Sequence, residues 1–201
     1  MKVLFASQNK GKQNEARKLF DDLDISLLFP SDFPKLKDFD VDETGKTFIE
    51  NAVLKAKTYA KKINIPCIAD DSGVIIDAMD GLPGIHSNRW FDGTPDDRNQ
   101  EVLKRLNSIE EAKRTARYLT AVCYYDPISE EYGVFTATQE GTIGNEIIGD
   151  EGFAYDRIFI PEGYNKTFAQ LGDKLKNEMS QRARAFKKIK LLVDILTQKD
   201  E

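Results

Sequence analysis

The residues best suited to chemistry are the adjacent acids of Ala69-Asp70-Asp71-Ser72-Gly73, which follow the apolar Cys67-Ile68. In an extended chain successive side chains point to opposite faces, so one carboxylate can meet a ligand while the other braces it. Two like charges side by side are costly without a cation. Mg²⁺ suits them, because it takes few protein carboxylates and completes its octahedron with water and phosphate oxygens. An ordinary Asx turn at Asp71-Ser72-Gly73 is the alternative.

A second group is Ser7-Gln8-Asn9-Lys10-Gly11-Lys12. Free backbone N–H groups at the start of a helix attract an anion, and the helix dipole adds to that attraction. Lys10 and Lys12 oppose the dipole there, which makes sense if a polyphosphate sits against them. The plainer reading is an Asn9 N-cap with solvated lysines. Glu43 lies in a polar turn, and Lys55 lies at the edge of an apolar helix face, where it either meets an anion or snorkels to water. Gly45-Lys46-Thr47 resembles the end of a Walker A loop, but Asp40 stands where its first glycine belongs. Gly45 reads better as turn and Thr47 as helix cap.

The third group joins Gly152-Phe153-Ala154-Tyr155-Asp156 to Ser180-Gln181-Arg182. Flat rings and hydrogen-bonding groups of this kind can hold a heterocyclic base. Taken alone, Phe153 and Tyr155 read as core residues and Arg182 as a surface cation.

The elements that must position these groups follow from periodicity. Val3 to Ala6 reads as a strand, and Ala16, Leu19, Phe20 and Leu23 recur at helical spacing after it. Thr47 with Glu50 forms a capping box, followed by Phe48, Ala52, Ala56, Tyr59 and Ile63 on one helical face up to Asn64-Ile65-Pro66. Cys67 to Ala69 is extended and places the two acids at a strand end; Val74-Ile75-Ile76 resumes an extended pattern before the turn Gly81-Leu82-Pro83-Gly84. Residues 96 to 113 look helical and solvated. The stretches 116 to 126 and 132 to 143 read as long antiparallel neighbours, and an amphipathic helix follows Ser180. The fold class is α/β, a mixed twisted sheet flanked by helices.

The chain has 201 residues and a net charge of −5, which disfavours a polynucleotide partner held by a basic face. Its length fits one domain over 1–201 or two small lobes sharing a core. Order is expected except at the C-terminal tip. Cys67 and Cys123 lack metal or redox spacing and read as core residues of a reducing compartment. The apolar run after Met1-Lys2 is too short for a signal peptide, and no run is long enough to span a membrane, so a cytoplasmic location is expected. His86 is the only histidine, which leaves carboxylates and lysines to carry the chemistry.

Together these stretches resemble the inosine triphosphate pyrophosphatase family. The resemblance runs from Ser7–Lys12 with Glu15, through Asp42-Glu43-Thr44-Gly45, Phe48 to Ala52 with Lys55, Ala69 to Gly73 and Gly81 to Gly84, to Gly152–Asp156 and Lys166-Thr167 through Lys176, Ser180 and Arg182. It implies hydrolysis of ITP, dITP and XTP to monophosphate and pyrophosphate. It implies an elongated mixed β-sheet, two lobes with a nucleotide-binding cleft between them, and a homodimer. By the same resemblance Ser7, Asn9, Lys12, Lys55 and Lys176 contact the triphosphate, with Gln8, Lys10 and Gly11 in the same loop. Glu43 and Asp71 bind Mg²⁺, Asp71 activates water, and Asp70 and Lys55 support catalysis. Ser72, Phe153, Asp156, Gln181 and Arg182, with Ala154 and Tyr155, line the nucleoside pocket. The chain departs from the family at Gln181, where histidine is usual, at Ala154 and Arg157, where glycine and proline are usual, and at His86, where tyrosine is common. A phosphatase working through an aspartyl-phosphate needs a D-x-D strand end, whereas Ser72 lies two residues after Asp70. A non-catalytic nucleotide-binding module is the other alternative.

Overall fold

The computed structural model describes residues 1–199, so the C-terminal tip lies outside the described residues. Six strands form one mixed sheet, in the order β2-β1-β3-β4-β5-β6. These are β1 (Lys2–Phe5), β2 (Ser26–Leu28), β3 (Cys67–Ile76), β4 (Thr115–Tyr125), β5 (Tyr132–Ile143) and β6 (Phe159–Pro161). β1 runs parallel to β2, with Val3 opposite Leu27, and parallel to β3, with Leu4 opposite Cys67. β5 and β6 are antiparallel. The helices are α1 (Lys10–Phe20), α2 (Phe48–Ile63), α3 (Pro95–Arg105), α4 (Phe168–Met179) and α5 (Gln181–Lys199).

The chain divides into two compact units, each with its own core. Unit 1 comprises Met1–Asp71, Thr120–Ala137 and Ala183–Glu201; unit 2 comprises Ser72–Leu119 and Thr138–Arg182. In unit 1, Val3, Phe5 and Ile68 of the sheet pack with Ala16 and Phe20 of α1 and with Phe186, Ile189 and Val193 of α5. The Phe186 ring meets Phe5 and Phe20 edge-on, at 5.5 and 6.1 Å. In unit 2, Val74, Ile76, Tyr118 and Ile143 pack with Val102 of α3, Phe159 of β6 and Phe168 of α4. Arg114 is buried there and donates to the carbonyls of Ile109, Gly144 and Leu106, which ties the end of α3 to the loop after β5.

Several expectations are met with changes of detail. Asn9 caps α1 by accepting the Lys12 N–H, and Thr47 caps α2 by accepting the Glu50 N–H. The reciprocal half of the Thr47 capping box is diverted, since Glu50 accepts from Lys46 N–H at 2.6 Å. Asn64 ends α2 in the left-handed region, which asparagine tolerates better than most residues. The acids do not stand at a strand end, nor in an Asx turn: β3 runs unbroken from Cys67 to Ile76. Of the solvated region 96 to 113, only Pro95–Arg105 is α-helix. The short strands β2 and β6 carry too few residues to announce themselves; α4 does carry a signal that sequence reasoning passed over, the Thr167/Gln170 capping box, and it is interrupted at Gly172, whose φ is 84°.

Candidate active site

Unit 1 gathers five charged side chains from three elements and a loop. Asp70 and Asp71 sit on β3, almost wholly buried. Their neighbours differ, as strand alternation requires. Asp70 Oδ2 accepts from Lys12 Nζ of α1 at 2.8 Å, while Asp71 Oδ2 accepts from Asn51 Nδ2 of α2 at 3.0 Å. Lys12 is therefore no solvated lysine. Removing one partner of such a buried pair costs about 3–5 kcal/mol, which far exceeds any gain from a lysine left in water.

Lys55 does not snorkel. Its Nζ donates to Glu43 Oε1 at 2.6 Å, and both side chains are largely buried. Burial works to lower the Lys55 ammonium, but Asp70, Asp71 and Glu43 outweigh it and hold its pKa above the ordinary lysine value. Burial pushes the Asp71 carboxyl above the usual carboxylate range; Glu43 adds to that rise, and Lys55, Asn51 and Lys12 pull against it. Among the described residues no three His, Cys, Asp or Glu side chains stand together as a ready metal cage. Two carboxylates with hard oxygens, however, are the complement Mg²⁺ uses when water and phosphate supply the rest.

The loop Ser7–Lys12 splits its side chains. Lys12 turns to Asp70, whereas Gln8 and Lys10 line a pocket of about 590 Å³ with Gln13, Pro30, Phe33 and Lys37. Gln8 Nε2 donates to the Phe39 carbonyl at 3.0 Å, Ser7 Oγ accepts from Asn9 N–H, and Gly11 lies in the first turn of α1.

Unit 2 builds its group around Asp156. One oxygen accepts from Lys176 Nζ at 2.8 Å and from Phe153 N–H at 2.7 Å, and the other accepts from Tyr118 OH at 3.4 Å. Gly152 permits this turn: its φ is 79°, and a Cβ there would stand 2.5 Å from Asp156 Oδ2. Over the Phe153 ring lie two cations, Lys176 Nζ at 4.2 Å and the Arg182 guanidinium at 5.1 Å from the centroid. Arg182 is only 5% exposed, so it is no surface cation. Gln181 is equally buried, and its Oε1 accepts no hydrogen bond from the described residues. Ser72 is half-buried in β3. Tyr155 is drawn into the core: its hydroxyl accepts from Trp90 Nε1 and donates to the Ser87 carbonyl, both at 2.6 Å. Burial pushes that phenol up to about 12. Ala154 sits at φ 54°, and its carbonyl is held by Asn99 Nδ2 at 3.1 Å. Arg157 pairs with Asp96 and donates to the Gly149 carbonyl. The free thiols stay in the core, with burial pushing Cys123 up to about 12 and Cys67 well above its ordinary value.

Two participants were given no role from the sequence. Tyr118 is one of many strand tyrosines and gives no signal. Asn51 does give one, because it falls among the apolar positions of α2, where a polar side chain must find a partner inside.

Comparison with known proteins identifies the family. Residues 3–192 match the model of the Ham1 family. The dITP/XTP pyrophosphatase of Listeria monocytogenes is 40% identical over 198 residues, 97% of this chain and 96% of that protein. The protein of the same name from Aquifex aeolicus is 38% identical over 94% of this chain and 95% of its own length. The structure of a HAM1 protein from Coxiella burnetii superposes with a TM-score of 0.87 at 32% identity, covering 96% of this chain and 98% of that one. The Staphylococcus aureus Ham1 protein superposes with a TM-score of 0.85 at 34% identity, with the same coverage. With this match spanning the strand acids, the Asn9 loop and the Phe153 turn alike, the chain belongs to the Ham1 family.

Proposed function

We propose that this protein hydrolyses non-standard purine nucleoside triphosphates, ITP, dITP and XTP, to the monophosphate and pyrophosphate. The observation that carries the reading is the buried charge set of unit 1, three carboxylates against two ammonium groups, in a chain of this family. Its relatives named dITP/XTP pyrophosphatase support the substrate class.

In this reading Glu43 and Asp71 would hold Mg²⁺, which when bound would neutralise phosphate charge. Asp71 takes the proton of the water that attacks the α-phosphorus. The bond from that phosphorus to the bridging oxygen breaks, and pyrophosphate leaves. Lys12 and Lys55 exchange part of their pairing with Asp70 and Glu43 for phosphate oxygens, so developing charge meets cations already in place. Ser7, Asn9 and the N–H groups at the start of α1 receive further phosphate oxygens. Phe153 offers its ring to the base, and Gln181 and Arg182 read the base edge. Lys176, expected to contact the triphosphate, is paired with Asp156 and lies over that ring, so this reading moves it to the nucleoside group. A cytoplasmic setting and a homodimer complete the proposal. Among the described residues no helix is long and apolar enough to cross a membrane.

Product analysis with a panel of nucleoside triphosphates and Mg²⁺ tests the reaction. Monophosphate and pyrophosphate are expected. Diphosphate with orthophosphate would overturn the reading, and tight nucleotide binding without turnover would make the protein a binding module. Sedimentation as a 22.8 kDa particle at micromolar concentration would refute the dimer.

A further inference from the structure

We propose that Asn51 is a positioning residue that ties Asp71 of β3 and the loop carrying Glu43 into one rigid unit; this rests on the reading of Asp71 and Glu43 given above. Asn51 is fully buried. Its Nδ2 donates to Asp71 Oδ2 at 3.0 Å, and its Oδ1 accepts from Gly45 N–H at 2.9 Å. The two bonds fix the amide orientation, because a flipped amide would set oxygen against a carboxylate and NH₂ against an N–H.

The loop end of this bridge is equally constrained. Glu43 stands two residues before Gly45. A Cβ on Gly45 would lie 2.5 Å from Asn51 Oδ1, 2.8 Å from Glu50 Cβ and 2.9 Å from Asn51 N, so only glycine lets the loop close this far onto α2. Lys46 N–H, donating to Glu50 Oε2, closes it from the next residue. Asn51 and Lys55 are four residues apart and share a helix face. One holds Asp71 and the other holds Glu43. A single helix face therefore sets both carboxylates, one from a strand and one from a loop. Groups that orient metal-binding carboxylates in this way are worth about 10- to 100-fold in metal affinity or activity.

The test uses Asn51→Ala and Gly45→Ala, which break the bridge at opposite ends, with Asp71→Asn as the reference. Steady-state kinetics with ITP, Mn²⁺ binding followed by electron paramagnetic resonance, and thermal unfolding are measured for each. Both bridge variants should lose kcat and Mn²⁺ affinity by about 10- to 100-fold, with KM changing much less. Gly45→Ala is informative because Gly45 carries no side chain able to touch metal or substrate. A lowered Tm with unchanged kcat and Mn²⁺ affinity would mean a purely structural asparagine and would overturn the proposal. If Asn51→Ala does not fold, Gly45→Ala decides alone by the same criteria. Normal turnover of Asp71→Asn would overturn the assignment of the site itself; a dead Asp71→Asn beside a normal Asn51→Ala would overturn only the positioning role.

Discussion

Buried charge is arranged differently in the two units. In unit 1, Asp70, Asp71 and Glu43 meet Lys12, Asn51 and Lys55, three acids against two ammonium groups. In unit 2, Asp156 meets Lys176, and Arg182 shares the Phe153 ring with that lysine, so cations outnumber the acid. On the function proposed above, the first arrangement would take a cation brought by a polyphosphate. The second presents a flat ring backed by hydrogen-bond donors, which suits the carbonyl oxygen of a 6-oxopurine. The lesson is that the net charge of −5 says little about either site, because each is set by a local balance among a few desolvated groups.

If this division of labour holds, substitutions in unit 1 act on turnover and phosphate, and those in unit 2 on the base. The largest effect is expected from Asp71→Asn, which should lower kcat by about 10²–10⁴-fold with modest loss of nucleotide binding. Near-normal turnover would move the role to Asp70 or Glu43. Lys55→Ala should instead raise KM, by about 10-fold or more, as expected for a lost charge-assisted hydrogen bond. Steady-state kinetics of both variants separate the roles, and equal KM effects would count against a phosphate role for Lys55.

In unit 2, Phe153→Ala should remove about 1–3 kcal/mol of stacking from kcat/KM for every base tested. A loss confined to one base would mean that the ring discriminates and does not merely stack. Gln181→His is a finer probe. Arg182 can only donate, but Gln181 has a carbonyl without a partner among the described residues and can accept from the adenine amino group. The natural protein should therefore discriminate ITP from ATP less sharply than the histidine variant, by about 10-fold in the kcat/KM ratio. An unchanged ratio would sink the relaxed-specificity idea. The smallest effect is one of stability. Ala154 at φ 54° carries left-handed strain of about 1–2 kcal/mol, part of which glycine gives back through its unfolded-state entropy. Ala154→Gly should raise stability by about 0.5–1 kcal/mol in denaturant unfolding, and a loss would show that Asn99 and the neighbouring packing favour the methyl group.

The sequence by itself determined whatever is settled within a turn or two of the chain. Asn9 and Thr47 announced their helices because a cap is a contact between residues three apart. β4 and β5 were legible from their wealth of Tyr, Thr, Val and Phe, and α5 because burial of one face imposes its period on the sequence. The ordered motifs likewise marked Asp70, Asp71, Lys55 and the Phe153 turn as residues to watch. What each of them does was decided by tertiary structure. Lys12 and Asp70 are 58 residues apart, and Asn51 and Asp71 are 20 apart. Their pairing depends on which backbones pack together, and no local spacing encodes that. Burial then reverses the plain local readings: a lysine that would be solvated on an isolated helix, or an arginine at a helix start, must pair once water is excluded, because an unpaired buried charge costs far more than the entropy of holding it.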